Sequence, residues 1–251
     1  MQAVITAAGL GTRMLPASKE IPKEMLPIPR NGELKPVIHV IFEMLYDAGV
    51  RDFIIVVGRG KRVIEDYFTP DWEFVDYLEQ RGKVKQAKGL REFYSRVEGS
   101  NIAFVNQPQP RGFGDAVLRA EPFTEEEFMV VGADTVIQGI PQIRANSFLI
   151  TEVEDPRPYG VVTLEGDRVL EVEEKPVNPR SRKVIVPYYA FTREIFRALR
   201  DSPVHEELQL TEGIRLMLRR GIPFRAVEVR EVYDLGNIEG YLDYLRRFSL
   251  H

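Results

Sequence analysis

The 251-residue sequence contains no cysteine, one tryptophan and three histidines. Without cysteine there is no disulfide, no thiolate nucleophile and no zinc site built on sulfur. His39, His205 and His251 share no metal-ligand spacing, and no Ser-His-Asp or Cys-His arrangement can be built on them. Each is read as structural or solvated. Also missing is an apolar run long enough to span a membrane. The chain opens directly on Val4-Ile5, without the basic and apolar stretches of a secretory leader. Nor is there an excess of basic residues: the formal net charge is −4, so no global field recruits nucleic acid. The expectation is a cytoplasmic protein without membrane or nucleic-acid partners. The missing cysteines, the charged pairs and the proline-rich loops also lean towards heat exposure.

What is present fits one soluble α/β domain over residues 1–251. The hydrophobic fraction of 44% and the charged fraction of 29% are ordinary for a globular protein, and the length allows a substantial core. In the first half, short apolar runs alternate with amphipathic stretches, which argues for a sheet that is mostly parallel. Strands are expected at Ala3–Ile5, Asp52–Val57, Ile102–Val105 and Phe128–Val131. Helices are expected from Pro36 to about Gly49 and from Lys61 to Phe68. Trp72–Val97 carries apolar residues at helical spacing, interrupted near Gly82 and Gly89. It reads as a helical insertion packed on the body, with a flap or subunit contact as the alternative. The second half carries strand signals at Ser147–Val153, Gly160–Leu164, Arg168–Val172, Val184–Phe191 and Arg225–Val229. Helices are expected near Arg193–Arg200, Thr211–Arg220 and Ile238–Phe248.

The most informative stretch follows the first strand: Ala7-Ala8-Gly9-Leu10-Gly11-Thr12-Arg13-Met14-Leu15-Pro16, closed by Pro22-Lys23-Glu24-Met25-Leu26-Pro27. Glycines let backbone N–H groups approach anionic oxygens and tolerate positive φ. Arg13 can grip a phosphate with two parallel hydrogen bonds, and Lys23 adds a point charge. Gly9 and Gly11 fit neither a Walker A loop nor a complete dinucleotide fingerprint. Gly58-Arg59-Gly60 after the second strand leaves no acidic residue for a ribose, which argues against a nicotinamide dehydrogenase.

A second stretch, Asn106-Gln107-Pro108-Gln109-Pro110-Arg111-Gly112-Phe113-Gly114-Asp115-Ala116, follows the strand ending at Val105. The carboxamide of Gln107 offers a donor and an acceptor in one plane, matching the N3–H and carbonyl edge of uracil or thymine. A flipped amide would admit cytosine. Gly112 would let the backbone approach the same base. Asp134 follows the strand Phe128–Val131, where open α/β sheets bind ligands, and it suits Mg²⁺; a turn or cap is the competing reading. Asp234, in Asp234-Leu235-Gly236-Asn237, precedes the last helix and is either a second metal ligand or a cap.

The first stretch resembles the signature loop of sugar-1-phosphate nucleotidyltransferases, with wording closest to bacterial-type UTP–glucose-1-phosphate uridylyltransferases. The resemblance implies a Rossmann-like mixed sheet, mostly parallel, with flanking helices and a small inserted sugar-binding β lobe. It implies a nucleotide site formed by Ala8, Gly9, Gly11, Thr12, Arg13, Lys23, Glu24, Gln107 and Gly112. It implies a sugar site formed by Tyr159, Gly160, Glu174 and Lys175, the last two matching the family's E-K-P box with Pro176. It implies Mg²⁺ on Asp134 and Asp234, with Arg13, Lys23 and Lys175 as the catalytic cations. Glu174 and Lys175 are adjacent and would face opposite sides of a regular strand, so a local bend must bring both to one site.

The implied reaction joins UTP and glucose 1-phosphate into UDP-glucose and pyrophosphate, in a cytoplasmic homo-oligomer, dimer or tetramer. A thymidylyltransferase and a non-catalytic nucleotide-sugar sensor are the alternatives. Two segments depart from the family. Residues 137–159 are short and lack a full helix, and Lys183–Tyr189 lacks a glycine found in relatives.

Overall fold

The computed structural model describes residues 1–204 and 206–248; His205 and His251 lie outside the described residues. Strand β1 (Gln2–Ala7) is buried along its whole length. A hairpin follows, β2 (Pro27–Arg30) with β3 (Glu33–Pro36), turned at Asn31 and Gly32 with φ of 52° and 75°. Positive φ at both central residues suits the right-handed twist of the two strands. Helix α1 (Val37–Asp47) starts after Pro36, as expected of a residue that cannot supply a helical N–H. Strand β4 (Asp52–Gly58), α2 (Arg62–Tyr67), α3 (Trp72–Gln80), α4 (Val84–Glu98) and β5 (Asn101–Gln107) complete the first half.

The helical insertion breaks at Gly82 (φ 71°) but not at Gly89, which lies inside α4. A glycine within a helix costs about 1 kcal/mol. Burial of Ala87, Phe93, Tyr94 and Val97 on the same helix outweighs that cost. These residues and Val75 of α3 belong to the core shared with α1, so the insertion packs on the body.

Helix α5 (Phe113–Ala120) leads to β6 (Glu127–Gly132) and β7 (Thr135–Ile137). Residues 138–146 hold no helix before β8 (Ser147–Glu152). Strands β9 (Gly160–Glu165), β10 (Arg168–Glu174) and β11 (Lys183–Thr192) precede α6 (Glu194–Asp201) and α7 (Leu210–Arg219). The described chain finishes with β12 (Arg225–Glu228), β13 (Val232–Asp234) and α8 (Ile238–Phe248).

Among the described residues nine strands form one sheet in the order β5-β4-β1-β6-β11-β8-β12-β10-β9. The first four are mutually parallel, and β11 enters antiparallel to β6. From there antiparallel neighbours prevail, with β12 parallel to β8. Strands β9 and β10 continue this sheet, and β9 folds back to pair antiparallel with β11, Val161 opposite Val184. One apolar core lies between the sheet and α1, α3 and α4, and a second between the sheet and α5, α6 and α7. Strands β1, β4, β5 and β6 all point their carboxyl ends to one edge, where Ala7, Gly58, Gln107 and Gly132 terminate them.

No helix among the described residues is long and apolar enough to cross a membrane.

Candidate active site

The loop after β1 turns at Gly11, whose φ of 69° belongs to the left-handed region that a side chain disfavours. Gly11 heads a single 3-10 turn, Thr12–Met14. Ser18 Oγ donates to Gly11 O at 2.7 Å and closes the loop on itself. Ala8 and Met14 are buried, whereas Gly9 and the Arg13 side chain face solvent. Lys23 opens a second turn, Lys23–Met25, and runs back under the loop: a Cβ on Gly9 would lie 3.8 Å from its Nζ. The loop backbone and Lys23 thus lie against one another.

Asp134 lies two residues beyond the end of β6 and its carboxylate accepts a hydrogen bond from Lys23 Nζ. Burial alone would raise the Asp134 carboxyl, but the Lys23 ammonium outweighs it and holds the acid below its usual range. Burial likewise works against the charged form of Lys23, and Asp134 with Glu24 overcomes it, lifting Lys23 above its usual value. Both groups are therefore ionised at neutral pH.

Asp234 reaches the same place because β13 pairs with β7, setting Asp234 opposite Thr135. Its Oδ1 accepts from Gly236 N at 2.9 Å, and its Oδ2 accepts from Asn237 Nδ2 at 2.9 Å and lies 3.5 Å from Arg13 Nη1. A Cβ on Gly236 would come within 3.1 Å of Asp134 Cγ and 3.0 Å of Arg13 Nη2. The two aspartates and Arg13 therefore surround Gly236. Helix α8 is capped by Asn237, whose Oδ1 accepts from Gly240 N at 2.8 Å. Capping is thus removed as the explanation of Asp234.

Two side chains expected on the nucleotide are engaged by partners within the protein. Glu24, expected on the nucleotide, is 1% exposed, and both its oxygens accept from Lys61 Nζ at 2.8 Å. Its side chain turns away from the cleft because Lys61, just beyond β4, supplies a buried counter-charge. Gln107, expected to present both ends of its amide, is the last residue of β5 and is 4% exposed. Its Nε2 donates to Asp115 Oδ2 at 2.8 Å and to Gly112 O at 3.2 Å, which leaves only the amide oxygen. Gly112 has φ of 102°, and its open side is filled by Glu207 and Leu208.

The expected bend in the Glu-Lys-Pro segment is present. Lys175 has φ of 42°, a rare conformation for a side-chain-bearing residue, and it directly follows β10. Its N–H donates to Tyr159 O at 3.0 Å, and its Nζ lies 3.7 Å from Glu174 Oε1. Glu174 Oε2 accepts from Thr211 Oγ1 at 2.9 Å, and Glu174 pairs in register with Gly160. Burial, then the Asp234 carboxylate, pushes the Tyr159 hydroxyl up. His39 is structural, as expected: it is buried, with Nδ1 2.7 Å from Tyr67 Oη.

Sequence reasoning missed Lys61, Asp115 and Thr211, the residues that hold Glu24, Gln107 and Glu174. Asn237, which holds Asp234, is legible in the sequence as a candidate cap of the last helix.

The sequence profile of the nucleotidyl transferase family matches residues 2–249. The chain belongs to this family. It is 33% identical to the UTP–glucose-1-phosphate uridylyltransferase of Mycoplasma pneumoniae, over 96% of this chain and 89% of that protein. A UTP-bound UGPase from Acinetobacter baumannii superposes with a TM-score of 0.85 at 29% identity, covering 99% of this chain and 93% of that one. A UDP-glucose pyrophosphorylase complexed with UDP-glucose gives 0.83 at 29% identity, covering 99% and 98%. These two solved structures thus share the fold over almost the whole chain.

Proposed function

We propose that the chain transfers a uridylyl group from UTP to glucose 1-phosphate, giving UDP-glucose and pyrophosphate. The observation that carries this reading is the convergence of Arg13, Lys23, Asp134 and Asp234 at the carboxyl edge of the parallel strands, in a chain whose full-length relatives bear that activity in their names.

A phosphate oxygen of the sugar attacks the α-phosphorus in line. The bond from that phosphorus to the bridging oxygen breaks, and its electron pair leaves with pyrophosphate. The sugar phosphate is already anionic at neutral pH, so neither a general base nor a covalent enzyme intermediate is required. Alignment and charge neutralisation remain as the enzyme's task. The Ala8–Thr12 loop and Arg13 hold the phosphates of the nucleotide, Lys23 neutralises charge beside them, and Gln107 meets the base. Tyr159, Gly160 and Glu174 hold the sugar, and Lys175 holds the attacking phosphate.

Asp134 and Asp234 suit Mg²⁺: both are hard oxygen donors and both border Gly236. Among the described residues no third His, Cys, Asp or Glu joins them, so substrate oxygens and water would fill the remaining positions, as Mg²⁺ commonly requires. When bound, the ion would neutralise charge on the nucleotide phosphates. A cytoplasmic setting, supported by the absence of cysteine, and a homo-oligomeric state belong to the same proposal; sedimentation of the purified protein reads the latter.

The decisive experiment measures pyrophosphate release with UTP, dTTP, CTP and ATP, each crossed against several sugar 1-phosphates. UTP with glucose 1-phosphate should be fastest. A faster rate with dTTP would make the chain a thymidylyltransferase, and no release from any pair would leave a non-catalytic binder.

A further inference from the structure

Gln107 and Asp115 form an arrangement whose polarity is fixed by chemistry. Gln107 Nε2 donates to Asp115 Oδ2 and to Gly112 O. Asp115 Oδ1 accepts from Arg119 Nη2 at 3.1 Å, one turn further along α5. The Asp115 carboxylate and the Gly112 carbonyl only accept hydrogen bonds, and the Arg119 guanidinium only donates them. The amide nitrogen of Gln107 must therefore face inward, since its oxygen in that place would meet two acceptors. Among the described residues Oε1 has no hydrogen-bond partner.

The frame around this pair is closed. Asp115 is 8% exposed and sits in the first turn of α5, beside the carboxyl end of β5. Leu208 N donates to Arg111 O at 2.8 Å, and Leu208 O accepts from Gly114 N at 2.8 Å. A Cβ on Gly112 would approach Leu208 O to 2.6 Å, so the turn carrying the second acceptor is clamped.

We infer that Asp115, held by Arg119, locks the Gln107 amide with its oxygen outward and thereby selects uridine-type over cytidine-type nucleotides. The inference rests on the proposal that Gln107 meets the base. An outward oxygen accepts from the N3–H that uracil and thymine share. Cytosine offers a lone pair at N3, so two acceptors would face each other, which costs affinity because neither is satisfied. The flipped amide that would admit cytosine is thus excluded by a residue that need not touch the nucleotide. Asp115 is a positioning residue, not a catalytic one.

Asp115→Asn tests the lock directly. Arg119 only donates, so the new amide turns its oxygen towards Arg119 and its NH₂ towards Gln107. Gln107 Nε2 then meets a donor at residue 115 and keeps its acceptor at Gly112 O, so the amide loses its single favoured orientation and the turned-over form, which presents a donor to the base, becomes populated. The kcat/KM for UTP and for CTP is measured by pyrophosphate release for wild type, Asp115→Asn, Asp115→Ser and Gln107→Ala. The UTP-to-CTP ratio should fall about tenfold or more in Asp115→Asn, with relative gain on CTP. In Asp115→Ser, whose hydroxyl donates or accepts, it should fall by less. A ratio unchanged in Asp115→Asn but lowered in Gln107→Ala would overturn the lock and leave the base contact standing. A ratio unchanged in Gln107→Ala would remove Gln107 from the base site, and the lock with it. If Asp115→Asn does not fold, the smaller Asp115→Ser decides by the same comparison.

Discussion

Lys61 donates to both carboxylate oxygens of Glu24 at 2.8 Å, and the pair is buried beside Lys23 in the wall of the site. Burial pushes the Glu24 carboxyl up and the Lys61 ammonium down, so each charge depends on the other. Removing one member of such a pair costs roughly 3–5 kcal/mol, because the survivor is left buried and uncompensated. Lys61→Met should lose about that much in urea unfolding. The double variant Lys61→Met/Glu24→Leu should recover most of it. A single variant as stable as wild type would show that the pair adds nothing.

Asp234→Asn and Asp134→Asn should each reduce turnover by orders of magnitude while near-ultraviolet circular dichroism stays native. A neutral amide is a poor ligand for a hard divalent cation. At position 234 donors face both carboxylate oxygens, Gly236 N on one and Arg13 with Asn237 on the other, so in either orientation the amide's NH₂ would meet a donor. Titration of activity with Mg²⁺ provides the check: an unaltered rate and Mg²⁺ dependence in Asp234→Asn would leave Asp134 as the only protein ligand.

Lys175→Ala should raise the KM for glucose 1-phosphate, while UTP binding followed alone by calorimetry stays near normal. Lys175 is tied to Tyr159 through its backbone and stands beside Glu174. Equal loss of UTP affinity would move Lys175 to the nucleotide. Lys175→Gly offers a useful contrast, since it keeps the backbone at φ 42° without strain.

Glu43 makes acid stability measurable at a single residue. Both its oxygens accept from Lys35 Nζ, at 3.0 and 2.9 Å, and His39 Nε2 lies 3.2 Å away. Burial would raise this carboxyl, but His39 and Lys35 overcome it and hold it down to about 2. A depressed folded-state value stabilises the protein above the unfolded value of 4.5, and the contribution is lost as pH falls towards about 2. Glu43→Gln should therefore be less stable than wild type by roughly 2–3 kcal/mol at pH 6. The gap should close as pH falls through that window. A constant gap from pH 6 down to 2 would remove the carboxylate's charge as its source.

Legibility in the sequence followed the range of the forces involved. Strands β1, β4 and β6 were plain because each is a nearly uninterrupted apolar run buried on both faces. The β2–β3 hairpin was missed even though Asn31-Gly32 is a strong turn signal, because its strands contain prolines and charges. Strands β7 and β13, three residues each, exist through their mutual pairing and have no pattern of their own. Helix α5 begins in glycines, which weaken any helical period. In the site, the phosphate loop and both aspartates were local strings. What orients Glu24 and Glu174 is a side chain 37 residues away in each case, Lys61 and Thr211, a relationship that only the fold creates.

The resting site carries its own counter-ions: Lys23 with Asp134, and Arg13 with Asp234. Two positive and two negative side chains cancel, so this is no electropositive hole waiting for an anion. On the proposed function, a polyphosphate would enter by exchange, taking the lysine and the arginine from their carboxylates. A bare triphosphate would strand two anions in a half-desolvated cleft, whereas one arriving with a divalent cation would return to each carboxylate what it gave up. Nucleotide affinity should accordingly track the metal-loaded fraction of the nucleotide far more closely than it tracks bulk ionic strength.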